Sequence, residues 1–162
     1  TKESLKILCE NISQTQDFLK REILVENPST YLSFINSEIA EDEFINQTSK
    51  ITGCKILLDI NNIYVSSQNN NFDAKKYLQN IDLKIVGEMH LAGHSVQKFG
   101  QEKILVDTHN DVVCDAVWDL YKIAAERFKT SPTLIEWDQD IPEFSVLMDE
   151  ARKAERIIKQ QL

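Results

Sequence analysis

Glycine and proline are scarce in this chain, four and three respectively in 162 residues. So few turn formers exclude collagen-like and low-complexity designs, and there is no Gly-rich loop to cradle a phosphate. Cysteine is sparse and badly spaced for a metal knuckle. Cys9, Cys54 and Cys114 are an odd three without a CxxC or CxxH pair, so neither a zinc knuckle nor a disulfide framework is legible and reduced, buried thiols are expected. Positive charge is short as well. Lys and Arg total 18 against 26 Asp and Glu, a net charge of −8, and an acidic chain without a basic stripe repels phosphate backbones, which argues against a nucleic-acid partner. No apolar run approaches the ~20 residues of a membrane span. No charged-then-apolar leader opens the sequence, and the expectation is a cytoplasmic domain with no membrane partner. A Ser-His-Asp order with a nucleophile elbow is also missing.

What is present suits a folded domain. The chain is 42% hydrophobic and 27% charged, and one of this size can bury roughly 70% of its extended surface. No linker or repeat divides it, so residues 1–162 are expected to form a single domain. Leu5, Leu8, Ile12 and Leu19 predict an amphipathic helix over residues 3–20. A short strand follows at 22–27 and is stopped by Asn27-Pro28-Ser29, then a helix over 41–51 closed by Gly53. The segment KILLDI (55–60) predicts a second strand ending in Asn61-Asn62, and the polar stretch 66–71 a loop. Asp73 predicts the cap of a helix over 74–80. KIVGEMHL (84–91) predicts a third strand with Ala92-Gly93-His94 as its exit loop. Residues 95–115 are expected to be irregular apart from a short strand at 103–107. A helix over 115–129, a fourth strand at TLIEW (133–137), and a last helix over about 142–160 complete the pattern, with Asp140 and Glu143 as a capping box. Strands alternating with helices imply an α/β fold with four parallel strands covered by helices.

The candidate chemistry sits at the strand ends. Glu26, Asp59, His90 and Glu136 each close a predicted strand, and parallel strands deliver their carboxyl ends to one edge. Three carboxylates and an imidazole converging there suit a divalent metal of intermediate hardness, iron, manganese or zinc. With no basic residue among them, they need a cation to offset their repulsion. Asn62, three residues after Asp59, His94, four after His90, and the Asp107-Thr108-His109 triplet are placed for a second N/O site beside the first. The chain has only three histidines, all within residues 90–109. Taken singly, each residue also has an ordinary structural reading. Glu26 terminates a strand, Asp59 is paired, His90 is a satisfied core histidine, and His94, Asp107 and His109 bond nearby backbone. Trp118 and Trp137 read as core. The functional reading rests on the joint pattern.

Five segments carry a resemblance to a known family: LVENPSTYLSF (24–34), LLDINNIYVS (57–66), GEMHLAGH (87–94), VDTHNDVV (106–113) and TLIEWDQDIP (133–142). Together they resemble the multinuclear non-haem iron-dependent oxidases, the domain of unknown function 692 or UPF0276 type, relatives of the iron oxidase of methanobactin biosynthesis. The likeness runs from about residue 3 to residue 154. It implies a xylose-isomerase-like metal barrel of the TIM (β/α)8 type with two or three irons at its mouth. By resemblance, Glu26, Asp59, His90 and Glu136 map onto ligands of the central irons, and Asn62, His94, Asp107 and His109 onto a further iron site. It also implies use of O2 to oxidise cysteine residues of ribosomally made peptides, with a partner protein presenting the peptide leader.

A complete barrel has eight strands and about 250 residues. This chain starts at Thr1 and predicts four strands, so it is expected to correspond to strands five to eight, the carboxyl-terminal half of the barrel. Further histidine ligands of the family would lie in the other half. The open strand edges then predict association, either as a homo-oligomer or with a missing half-barrel. Two other readings compete: a non-catalytic half-barrel acting as an association module, and a divalent-metal isomerase or phosphodiesterase of the wider barrel group.

Overall fold

Burial sorts the strands of this chain onto two unlike faces. The structure is a computed structural model and describes residues 1–161; Leu162, the last residue of the expected single domain, lies outside the described residues. In chain order the elements are α1 (Lys2–Leu19), β1 (Leu24–Glu26), α2 (Glu41–Thr52), β2 (Lys55–Asp59), α3 (Ile60–Asn70), α4 (Ala74–Asn80), β3 (Val86–Leu91), β4 (Ser95–Phe99), β5 (Glu102–Val106), α5 (Asp115–Arg127), β6 (Thr133–Ile135) and α6 (Phe144–Lys159). Strands β1, β2, β3 and β6 form a parallel sheet in that order, and β4 and β5 pair antiparallel in a separate hairpin.

Ile56, Leu58, Met89 and Leu91 are buried under the helices, together with Ile12, Ile45, Leu78, Trp118, Tyr121 and Ala124. The apolar stripes of the helices follow from their periodicity: Leu5, Cys9 and Ile12 in α1, and Val117, Trp118, Leu120, Tyr121 and Ala124 in α5. On the opposite face Leu24 and Leu134 are each 43% exposed. Helices therefore cover one face of the sheet, where a doubly wound fold would cover both. A parallel four-strand sheet alternating with helices and layered on one side is compatible with a TIM-like half-barrel.

One irregularity sets which side chains share the open face. Ile56 pairs with Val86, but Leu57 pairs with Glu88 and Asp59 with His90, so Gly87 is an extra residue in β3. A bulge of this kind inverts the alternation beyond it. Val86 stays on the helix side with Ile56, while Glu88 and His90 turn to the open side with Leu57 and Asp59. A regular β3 would have directed His90 into the helix layer. Gly87 suits the position because a Cβ there would meet a methyl of Leu24 and lie 3.1 Å from Lys55 Cβ.

Three local expectations are corrected. The stretch expected as a strand end and polar loop is helix α3, which starts directly after β2. Asp59 caps it, its Oδ1 accepting from Asn62 N at 2.6 Å. Ile60, Ile63 and Val65 are buried, and polar residues after them have tertiary partners: Ser66 Oγ accepts from Thr30 N, Asn70 donates to Thr30 O, and Asn69 exchanges two bonds with the backbone of Leu105. Residues 95–99, expected to be irregular, form β4. Its side chains are mostly exposed, so no alternation of buried and exposed residues announces it. Asp140 and Glu143 do not form a capping box. Glu143 is the N-cap of α6 without a side-chain bond, and Asp140, at a φ of 50°, faces Asn110 instead. The expected thiols are unpaired, Cys9 and Cys54 buried and Cys114 half-buried. No helix among the described residues is long and apolar enough to cross a membrane.

Gly93, just past β3, is where the loop over residues 109–112 lands. His109 N donates to Gly93 O at 3.2 Å, and a Cβ on Gly93 would overlap the Asp111 carbonyl and lie 2.9 Å from Val112 O. Gly93→Ala is expected to push this loop away and to cost about 1–3 kcal/mol, read as a lowered urea midpoint with an unchanged slope. A midpoint equal to that of the wild type would contradict this packing.

Candidate metal centre

The four expected strand-end residues occupy neighbouring positions on the open face. Glu26 ends β1, Asp59 ends β2, His90 is the penultimate residue of β3, and Glu136 follows β6 with its N–H donating to Leu91 O at 2.9 Å. Asp59 is the most constrained. It is completely buried. Its Oδ1 caps α3, while its Oδ2 has no hydrogen-bond partner. Its backbone is held on the other side by Asn27, whose amide donates to Asp59 O at 3.0 Å and whose Oδ1 accepts from Asp59 N at 2.8 Å. Pro28 has no N–H to continue the ladder, and the Asn27 side chain extends the pairing of β1 with β2 in its place. Asn62 closes this corner, donating to Glu26 Oε1 at 3.2 Å and Asn27 O at 3.0 Å, with its own Oδ1 buried and unpartnered.

The histidines approach from the other strands and their loops. His90 Nδ1 lies 3.0 Å from Glu136 Oε2 and its Nε2 lies 3.5 Å from Glu88 Oε1. His109 sits in a left-handed turn at a φ of 46°, with its carbonyl accepting from Asp138 N at 2.8 Å. Its Nε2 is 2.7 Å from Asp107 Oδ1, and its Nδ1 is 3.3 Å from Glu136 Oε2 and 3.4 Å from Asp138 Oδ2. Despite these short distances neither ring nitrogen is aligned for a hydrogen bond. His94 Nδ1 is 2.8 Å from Asn61 Oδ1, and its ring tilts against Tyr64 with centroids 5.3 Å apart. Asn61 also donates to Asp107 Oδ1 at 2.7 Å.

One group stands out. Asp59, His109 and Glu136 each place a ligand atom so that all lie within 4.8 Å of one another. This trio crosses the division suggested by sequence order, because His109 joins two of the strand-end carboxylates rather than staying with Asn62, His94 and Asp107. Around it, His90 leans on Glu136, Glu26 is tied to Asn62, and His94 and Asp107 are joined through Asn61. Asn27, Asn61 and Glu88 were not among the residues singled out from the sequence. Glu88 was findable, because a charge inside a strand needs a partner for the same reason as Asp59 does. Asn27 and Asn61 read as turn residues, and only tertiary contact reveals their bonds.

The donor chemistry fits a divalent cation. Asp59 Oδ2 and Asn62 Oδ1 are buried polar atoms without partners, each costly to leave unsatisfied, and the His109 nitrogens face only carboxylates. The ion pairs of this cluster involve only histidine; among the described residues no Lys or Arg pairs with its carboxylates. Carboxylate, imidazole and amide oxygen donors without thiolate suit iron, manganese or zinc. The proton affinities bear the same stress. Burial, reinforced by Asp107 and Glu26, raises the Asp59 carboxyl to about 8 although the Asn62 N–H favours its charged form. For His109 burial acts to lower the imidazole, but the adjacent Asp107 and the charges of Asp59 and Glu136 outweigh it and raise it to about 9. Burial and Glu136 raise Glu26, and burial lowers His94.

Comparison with known proteins adds an independent line. The family described as "RiPP precursor modification enzyme MbnB/TglH/ChrH" matches residues 1–159. A UPF0276 protein of Paraburkholderia phytofirmans is 46% identical over 162 residues, covering 99% of this chain and 53% of the relative. One of Psychromonas ingrahamii is 47% identical over 163 residues, covering 100% and 57%, and one of Vibrio vulnificus is 43% identical over 162 residues, covering 100% and 56%. The chain spans about half the length of the curated relatives it matches.

The titration of this cluster has a definite sign. An unfolded aspartate loses its proton near 3.9 and an unfolded histidine near 6.5, both below the folded values of Asp59 and His109. The folded, metal-free chain therefore holds extra protons. The stability they confer is complete at low pH and is lost as pH rises, from Asp59 between about 4 and 8 and from His109 between about 6.5 and 9. The melting temperature of the chelator-treated protein is expected to fall across neutral to alkaline pH. Added Zn(II) or Mn(II) is expected to raise it more at the alkaline end, because metal and protons compete for the same atoms. A metal-free protein that becomes more stable from neutral to alkaline pH would contradict this assignment.

Proposed function

The chain belongs to the MbnB/TglH/ChrH family of RiPP precursor modification enzymes, and on that premise we propose that it is the metal-binding portion of a multinuclear iron-dependent oxidase that uses O2 to modify cysteine residues of ribosomally made peptides. The observation that carries this reading is the convergence of Asp59, His109 and Glu136 within 4.8 Å, with the Asp59 Oδ2 atom buried and without a partner. These three would hold a central iron, with His90 and Glu26 beside them. Asn62, His94 and Asp107 would serve a neighbouring ion. Bound iron supplies what no side chain here can, electron transfer to O2 and a Lewis-acidic seat for a thiolate.

The protein's own groups supply position and charge. Asn27 and the first turn of α3 clamp Asp59 from both sides, so its free oxygen has one orientation. Glu88 and Glu136 flank the two nitrogens of His90 and fix the plane of its ring. The carboxylates, left without Lys or Arg, tune the site for cations and against anionic ligands. The peptide, its leader held by a partner protein, would reach this cluster in the cytoplasm. The open sheet face, with Leu24 and Leu134 exposed, would be covered by the remaining part of a barrel, from a second copy or from other strands, which would also exclude water from the reacting thiol.

The test is metal content by elemental mass spectrometry on protein prepared without oxygen and loaded with Fe(II), beside His109→Ala and Glu136→Gln. Iron is expected to stay with the wild-type chain through desalting and to be largely lost from both variants. Oxygen uptake on adding a cysteine-containing precursor peptide is expected to depend on that iron. Failure of the wild-type chain to retain iron, or equal retention in all three proteins, would overturn the reading and leave an association module.

A further inference from the structure

Asn61 is completely buried in the first turn of α3 and belongs to neither set of expected ligands. Its side chain joins two that do. Oδ1 lies 2.8 Å from His94 Nδ1, and Nδ2 donates to Asp107 Oδ1 at 2.7 Å. Chemistry settles which end of the amide faces which neighbour. A carboxylate accepts and never donates when ionised, so the amide NH2 must face Asp107 and the amide oxygen must face His94. An amide oxygen in turn accepts only, so the proton of the contact must come from the imidazole.

We propose that Asn61 is a positioning residue that locks His94 in the Nδ1–H tautomer, frees its Nε2 as the ligating nitrogen, and sets the Asp107 carboxylate through the same amide. Which ring nitrogen is available to a metal is decided by the hydrogen bond made by the other. Isolated neutral imidazole does not hold to one tautomer, so a buried acceptor on Nδ1 is a specific constraint. The effect reaches further, because Asp107 Oδ1 is also 2.7 Å from His109 Nε2. One amide thus links the exit of β3, carrying His94, to the exit of β5, carrying Asp107 and His109, with the helix that Asp59 caps. Neighbouring Asn69 ties α3 to β5 as well, but only through the backbone of Leu105, so it touches no ligand and serves as a structural comparison.

The consequence for metal binding rests on the reading of the cluster as a metal centre; the tautomer itself does not. The experiment is long-range 1H–15N correlation NMR of the His94 ring in the full, chelator-treated chain at mildly alkaline pH, for wild type, Asn61→Ala, Asn61→Asp and Asn69→Ala, followed by Zn(II) titration of each. Wild type and Asn69→Ala are expected to carry the His94 proton on Nδ1. Asn61→Ala is expected to shift it to Nε2 or to an average of the two, and to weaken Zn(II) binding by about 10- to 100-fold. Asn61→Asp keeps an acceptor for His94 and is expected to retain its Nδ1 proton, while the new carboxylate, unable to donate, repels Asp107 and loosens that ligand. A wild-type ring protonated on Nε2 would overturn the proposal. So would an unchanged ring pattern in folded Asn61→Ala. If Asn61→Ala does not fold, the wild-type and Asn61→Asp spectra decide the matter. If no protein binds Zn(II), the metal reading falls while the ring spectra still judge Asn61.

Discussion

A fully buried carboxylate with one oxygen committed and the other free is the constraint on which this structure turns. Asp59 ends a strand and begins a helix with the same residue. Its Oδ1 accepts from the Asn62 N–H in the first turn of α3, which fixes the carboxylate, and Asp59 offers a carboxylate oxygen within 4.8 Å of ligand atoms of His109 and Glu136. Burying such a group is unfavourable unless something compensates, and the surroundings are arranged for that task. Asn27 bonds both backbone groups of Asp59, the positive end of α3 meets its carboxylate, and Asn61 and Asn62, in the first turn of the same helix, face the remaining ligands. The polar sequence of α3 is therefore a consequence of where the helix starts. Its buried Asn61, Asn62 and Ser66 have partners on the loops after β1, β3 and β5.

The second constraint is geometric. Four parallel strands bring their carboxyl ends to one edge, but sharing an edge does not guarantee sharing a face. Glu26, Asp59, His90 and Glu136 lie on the open face because the strands pair in a register that aligns them and because the Gly87 bulge shifts β3 by one residue. The carboxylates so gathered repel one another. Their repulsion and burial appear in the raised proton affinities of Glu26, Asp59 and His109. A divalent cation would relieve both at once.

Much of this was legible from residue order. The strands expected at 55–60 and 84–91, the helices expected over 3–20, 41–51, 74–80 and 115–129, and the parallel α/β arrangement follow from short apolar runs alternating with amphipathic segments, since both patterns depend on local periodicity, and the observed elements differ only at their ends. Gly53 as a helix stop and Asp73 as a cap were local in the same sense. Helix α3 was not legible, because Asn and Ser in series signal a loop unless tertiary partners take up their side chains. Strand β4 was not, because a strand with no buried face has no alternation to detect. The supposed capping box at Asp140 failed because the backbone at that residue turns left-handed and sends its side chain to Asn110.

For the candidate site, the sequence by itself determined the chemical inventory: carboxylates and histidines at strand ends, no thiolate near them and no basic residue between them, because strand boundaries and composition are local properties. Only the tertiary structure decided which of these residues meet. Placing His109 with Asp59 and Glu136, and joining His94 to Asp107 through Asn61, depends on a one-residue bulge, a left-handed turn and a helix cap far apart in the chain. Such juxtapositions arise from packing the loops on one another, and no spacing along the sequence encodes them.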